Sequence, residues 1–427
     1  MISSFKKTGL VLIVSVLFLT LTAPVSYAVD LDVFTMFGGA DPASGAYQDA
    51  ISEFESMYDV NINDDSSTMD DAVKVRIENA FQANNEPDLT MYFTDEQASP
   101  IINSNNVVPY TGEIFQEYPE LKDRYLEDPL EQQRWNDGNI YGIPVTGFYE
   151  GLLINKDLFE KHDVPLPTNW ENFMTAIERF NEEDIVPLGV GLGRIPHYML
   201  EHAILVMGGA EQHNAGLKDG VPQGWIDGLN LIKELYEMDA FPVDTLNMGW
   251  EQPREMFRRK EVAMLPEGNW ALGALSEIHD TMTILPMPVP PEGRGEYGSI
   301  IAGFTSGFYI SEEAYQDEEK GEMVIELVKH LTSKDVMADI VEANAGLPSV
   351  KGINVDDLEG LSRVEREGVD LANQASNIVL PTDAKISRPA FQEIVNGVPY
   401  IVEGERTAEE VLESAREIEI EARRGEE

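Results

Sequence analysis

The chain has 427 residues, 43% of them apolar, which is enough material for two cores rather than one. It carries 77 acidic residues against 30 basic ones, a formal net charge of −47 that disfavours nucleic acid and anionic membrane surfaces as partners. Cysteine is absent, which excludes disulfides, thiolate catalysis, thiolate metal sites and attachment through a lipidated cysteine.

The first 28 residues read as a secretory signal peptide. Lys6 and Lys7 form a basic start, an apolar run follows from Gly9 to Leu21, and Ser26-Tyr27-Ala28 puts small residues at the −3 and −1 positions of a cleavage site. The other reading is an uncleaved anchor, but the run is short for a span of about 20 residues. The mature protein is expected to begin near Val29 and to work, untethered, in the periplasm or outside the cell. The acidic runs Glu182-Glu183-Asp184, Asp317-Glu318-Glu319 and Glu409-Glu410 read as solvated helix faces. They suggest adaptation to a saline medium, where screening relieves self-repulsion. An ordinary acidic secreted protein is the alternative.

From there strands and helices alternate. Apolar Leu31, Val33, Phe34 and Met36 predict a strand over 30–37 that ends at Gly38-Gly39. A helix is expected over 44–58 and a strand over 60–63. Thr68 to Asp71 has the spacing of a capping box, with Val73, Ile77, Ala80 and Phe81 following at helical period. Pro87 precedes a strand over 88–92. This β-α-β-α-β order predicts a parallel sheet with crossover helices. Tyr141-Gly142-Ile143-Pro144 marks a turn into an extended crossing, and 151–155 reads as a strand. Thr168 is expected to cap a helix whose apolar stripe is Trp170, Phe173, Met174, Ile177 and Phe180. Further helices are expected over 199–207, 224–238 and 252–259. The short apolar segment 282–287, bounded by prolines, reads as a second crossing, and strand-like sequence resumes over 299–310. Helices over 320–331 and 407–424 close the chain, the last with Thr407 and Glu410 as a capping box.

Three blocks carry a family resemblance. The first runs from Tyr141-Gly142-Ile143-Pro144 through Leu152–Phe159 to Pro165–Thr168 and Trp170–Phe173. The second is Phe257–Met264 followed by Gly268-Asn269-Trp270. The third runs from Ile284–Pro288 through Gly303 to Phe308–Ser311, with Thr407–Leu412 in order after it. In order and spacing the chain resembles the family 1 extracellular solute-binding proteins, the group that includes maltose-binding protein. It departs from them in Phe34–Phe37, in Gly303-Phe304-Thr305, and in lacking the anchoring cysteine that many relatives carry.

The resemblance implies a two-lobed α/β periplasmic-binding-protein fold, type II-like, with the ligand in the cleft. It places the first lobe at 29–140 plus 288–340 and the second at 145–282 plus 345–427. Hinge crossings are expected near 141–144, 283–287 and 341–344. It also implies a monomer that takes a small-molecule ligand, a mono- or oligosaccharide, to ABC permease subunits in the membrane, with no cofactor, no metal and no catalysis.

A pyranose offers apolar C–H faces and a polar rim, so aromatic rings and carboxylates are the expected contacts. Trp270 matches the family's cleft tryptophan, and Glu267 and Asn269 flank it. Tyr198, ten residues before Gly208-Gly209, stands where relatives place a cleft tyrosine. Asp95, with Glu96 behind it, follows the strand over 88–92 at its carboxyl end, where open α/β sheets bind ligands. Phe37 and Gly38 end the first strand. Tyr149 and Glu150 lie just past the first crossing, Trp250 precedes a helix, Phe304 replaces a common family aromatic, and Arg388 is near Phe391. Each also has a plain structural reading, as a core ring, a turn residue or a surface charge. Two other functions share these features. A secreted glycoside hydrolase needs two facing carboxylates, but no Gly-x-Ser-x-Gly, P-loop or His-Glu-x-x-His motif is present. A ligand-binding partner of a membrane sensor would keep the same fold.

Overall fold

The computed structural model describes residues 28–193 and 197–424. The signal-peptide reading of residues 1–28 falls almost wholly outside this range. Among the described residues, no helix is long and apolar enough to cross a membrane.

Two sheets organise the molecule. In the first, β1 (Val29–Phe34), β2 (Val60–Asp64), β3 (Leu89–Phe93), β10 (Ser306–Ile310) and β4 (Ile143–Pro144) lie in the order β2-β1-β3-β10-β4. β1 runs parallel to β2 and β3, and β10 runs antiparallel to β3. Helices α1 (Ser44–Met57) and α2 (Asp71–Gln82) make the two crossovers. In the second sheet, β12 (Ile378–Val379), β9 (Ile300–Gly303), β5 (Thr146–Asn155), β7 (Val262–Gly268) and β6 (Val186–Leu188) lie in that order. β8 (Met282–Leu285) and β11 (Leu347–Pro348) also pair with β5.

Each sheet buries its own core. Leu31, Val33, Phe54, Leu89, Ile143 and Phe308 belong to the first. Leu152, Ile154, Phe173, Phe180, Trp225 and Met264 belong to the second. Separate apolar cores around separate sheets make two lobes.

Three expectations of the sequence need correction. The segment 283–287 does not cross between lobes: β8 lies inside the second sheet, antiparallel to β5 from Leu152↔Leu285 to Asn155↔Met282. The strand-like stretch 299–310 is two strands on different sheets, β9 with β5 and β10 with β3. The chain therefore changes lobe at Phe304-Thr305, and 288–303 goes with the second sheet. Residues 341–344 are the last turn of a helix (Lys334–Asn344), so the third change of sheet falls between Asn344 and β11. A short apolar run carries no period that separates a buried strand from a crossing. Two caps also moved. Asp70, not Thr68, caps α2 by accepting from the Val73 N–H at 2.8 Å, and Asn169, not Thr168, caps the helix Trp170–Glu182. At Thr407 the reciprocal capping box is present: Glu410 N–H donates to Thr407 Oγ1 (3.1 Å) and Thr407 N–H to Glu410 Oε2 (2.8 Å).

Candidate functional site

The lobes are closed on each other. Arg388 opens α5 (Arg388–Val402) on the second lobe and donates to Glu78 of α2 at 3.2 Å, where Glu78 also receives the Tyr92 hydroxyl at 2.9 Å. Arg423, on α6 (Ala408–Arg424), donates to Glu96 of the first lobe at 2.9 Å while holding Glu419 at 2.6 Å. Glu96, held by Arg423, and Arg388, held by Glu78, thus each stand in a separate ion pair across the seam.

Behind these pairs the second lobe presents an aromatic wall. Trp270 follows the end of β7, and its ring lies 5.4 Å from Tyr198 and 5.8 Å from Phe148, centroid to centroid. Gly268 makes this possible: a Cβ there would sit 2.3 Å from the Trp270 ring, so only glycine lets the indole fold back over the strand end. Trp270 Nε1 donates to Glu267 Oε1 at 2.7 Å, and Arg254 donates to Glu267 Oε2 at 2.8 Å. Arg254 comes from α4 (Glu251–Arg258), preceded on the chain by α3 (His197–Asn214), and lies 4.2 Å from the centroid of the Trp250 ring. Trp250, Tyr198, Leu265, Pro266 and Glu267 line a small opening. Charge, indole and ring faces are thus held to one another within the second lobe.

Alternation along β5 divides two neighbouring residues. Glu150 is 1% exposed and lies opposite Gly268, beneath the Trp270 ring. Tyr149, one residue earlier, points to the other face. It packs in the core with Gly368 against its ring, and its hydroxyl donates to the Glu365 carbonyl at 3.3 Å. Tyr149 is therefore a core residue, contrary to expectation.

Carboxylates gather at the seam. Glu201, on α3, is completely buried, and neither of its oxygens has a hydrogen-bond partner among the described residues. The Thr382 backbone is near enough to favour its charged form but lies outside hydrogen-bond geometry. Burial first, then Glu150 and Asp383, push the Glu201 carboxyl well above the ordinary range. Glu150 is pushed up in the same way, by burial, then Glu267 and Asp383. His202 Nε2 lies 3.8 Å from Glu150 Oε2, too far for a hydrogen bond, and burial lowers its pKa to about 4, so it is neutral and forms no ion pair. From the first lobe Asp95 faces Asp383. Protein surrounds it although its surface is not fully sealed, and burial, then Asp383, raise it to about 8. Lys385, lowered to about 8 by burial, stands within electrostatic reach of Glu201 and Asp95.

Four other expected residues fall outside this group. Phe37 is 3% exposed and packs on Tyr47 in the first core. Gly38 closes against the Ser66 backbone, where an added Cβ would come within 2.2 Å, so its small size serves chain packing. Asn269 ties β5 to the hinge, accepting from Tyr149 N–H at 3.2 Å and donating to the Asn344 carbonyl at 2.9 Å. Phe304 forms the crossing: Gln132 Oε1 accepts from its N–H and Gln133 donates to its carbonyl, both at 2.8 Å. Conversely Phe148, Glu201, Arg254, Asp383 and Lys385 were not expected. Only Glu201 left a signal, one helical turn after Tyr198 on a helix whose next turn, from Ala203 to Met207, is apolar.

Two lobes joined by three changes of sheet, with an aromatic wall at their seam, make up the molecule. The chain belongs to the bacterial extracellular solute-binding protein family, whose profile matches residues 39–338. An uncharacterised ABC transporter extracellular-binding protein of Pyrococcus horikoshii is 24% identical over 233 residues, covering 52% of this chain and 51% of the relative. The multiple sugar-binding protein of Streptococcus mutans is 21% identical over 256 residues, 58% of each. The chain thus spans little more than half the length of these curated relatives. In fold it is similar to a solved chitin oligosaccharide binding protein, with a TM-score of 0.80 at 18% identity over 92% of this chain and 99% of that one.

Proposed function

We propose that the chain is the exported solute-capturing subunit of an ABC importer and that it holds a carbohydrate between its lobes. One observation carries this reading: the Trp270, Tyr198, Phe148 and Trp250 rings stand beside buried carboxylates at the seam of two lobes. Rings pack on the C–H faces of a pyranose, and carboxylates receive the hydroxyls of its rim. The names of the relatives from Streptococcus mutans and the chitin oligosaccharide binding protein agree with a sugar.

In this reading the second-lobe wall binds first, and Asp95 with its lobe closes over the ligand. Closure gives membrane permease subunits a shape that distinguishes loaded from empty protein. The protein works outside the cytoplasm after loss of its leader, as a monomer, and performs no catalysis.

A thermal-shift screen against mono- and oligosaccharides and polyols tests the reading. A bound ligand at 100 times its dissociation constant adds about 2.7 kcal/mol of stability. If no member of the library raises the melting temperature, the carbohydrate assignment is wrong.

A further inference from the structure

The seam holds more buried carboxyl groups than a neutral sugar needs. Asp95, Glu150, Glu201, Glu267 and Asp383 form one electrostatically connected group: Asp383 interacts with Asp95, Glu150 and Glu201, and Glu150 with Glu267. Among the described residues, only Glu267 of this group has a cation bound directly to it, the Arg254 guanidinium. Two lysines stand nearby but are engaged elsewhere. Lys385 donates to Asn214 at 2.6 Å. Lys74 donates to Gln97 at 2.7 Å and rests 4.6 Å from the centroid of the Phe93 ring. Neither forms an ion pair with Asp95, Glu150, Glu201 or Asp383 among the described residues.

The histidines do not repair the imbalance. His202 and His213 are both buried, and neither ring has a hydrogen-bond partner among the described residues. Both are held neutral, His202 by burial and His213 by burial, then Lys385 and His202. Glu201 is the decisive group. It is completely buried, and among the described residues both its oxygens are unpartnered, as is Oε2 of Glu150. An unpartnered buried carboxylate is costly, whether it stays charged or is forced to hold a proton.

A hydroxyl rim can donate to such oxygens but brings no charge to offset them. A protonated amine does both: it donates up to three N–H bonds and cancels one negative charge in a poorly solvated site. The aromatic wall alongside suits a sugar ring and also favours a cation near its π faces. Resting on the carbohydrate reading above, we propose that the natural ligand is an amino sugar or an oligosaccharide containing one, its ammonium received between Glu201, Glu150 and Asp383.

The test is isothermal titration of the mature protein with a matched panel. The panel holds glucosamine, galactosamine and the β-1,4-linked glucosamine disaccharide, each set against its N-acetylated and its plain hexose counterpart. At least one free-amine member is expected to bind about tenfold or more tighter than both of its counterparts. Glu201→Gln, which keeps shape and removes the charge, is expected to reduce that preference to about threefold or less. Glu150→Gln serves the same purpose if the first variant does not fold. If neutral or N-acetylated sugars bind as tightly as every amine, or the preference survives both variants, the ammonium site is overturned and the carbohydrate reading stands. If no saccharide of either kind binds, the carbohydrate reading itself falls.

Discussion

The two faces of the seam are built differently. On the second lobe, Trp270, Glu267, Arg254 and Trp250 are tied into one unit by a 2.7 Å indole bond, a 2.8 Å ion pair and a stacked guanidinium. That unit grows out of β7, a strand buried along its whole length. On the first lobe, Asp95 caps a single 3-10 turn, and its neighbours at the seam are the long side chains of Lys74, Glu78 and Glu96. One face is preorganised by its core, while the other is assembled when the lobes meet. Under the proposed carbohydrate reading, the difference teaches a division of labour, with affinity stored in the rigid wall and closure decided by exchangeable surface charges.

The largest expected effect tests the rigidity of the wall. Arg254→Ala leaves Glu267, 1% exposed, without its cation. Removing one partner of a buried pair costs about 3–5 kcal/mol, so chemical denaturation should show a loss of about 3 kcal/mol or more. A loss under about 1 kcal/mol would mean that the wall does not depend on this pair. Next is Trp270→Ala, which removes an aromatic anchor and the donor to Glu267. Titration should show about 2 kcal/mol of lost affinity, near thirtyfold, with the fold retained. An unchanged dissociation constant would return Trp270 to a packing role.

Smaller effects belong to the closing face. Glu78→Gln and Glu96→Gln each remove one partly exposed ion pair across the seam. Each should weaken ligand binding by about 1 kcal/mol or less, and the loss should shrink as salt is raised. Equal losses at low and high salt would contradict a charge-driven closure. A separate effect is on the pH dependence of stability. Asp95 is held near 8, against 3.8 for an ordinary carboxyl, chiefly by burial. The folded chain then keeps a proton here that the unfolded chain has lost. Stability from this group therefore falls as pH rises from about 3.8 to about 8. His202, neutral in the fold down to about 4 against 6.5 when free, acts in the opposite sense. Its contribution is lost as pH drops through that window. Asp95→Asn should flatten the decline in melting temperature between pH 6.5 and 8, and an unaltered slope there would show that Asp95 is not the source.

The sequence determined the class of this protein by itself. Alternating strands and helices, two cores' worth of apolar residues and three motif blocks in order all rest on local patterns, which survive without knowledge of the tertiary contacts. That Trp270, Tyr198, Trp250, Glu267 and Glu150 stand near one another at the seam was legible for the same reason, since each is attached to a motif or to the end of a predicted element; their part in binding is the proposal. Tyr149 was misread because alternation assigns neighbours to opposite faces but does not say which face meets the cleft. Position 304, rather than 283–287, as the second lobe crossing was settled by strand pairing, which is a long-range choice. The same holds for the carboxylate cluster. Asp95, Glu150, Glu201 and Asp383 lie far apart in a chain with 77 acidic residues, and only the folded arrangement brings Glu150, Glu201 and Asp383 together in the second lobe with Asp95 of the first lobe set against them. Burial and mutual repulsion, which give those carboxyls their chemistry, are properties of that closed arrangement and of no segment of the sequence.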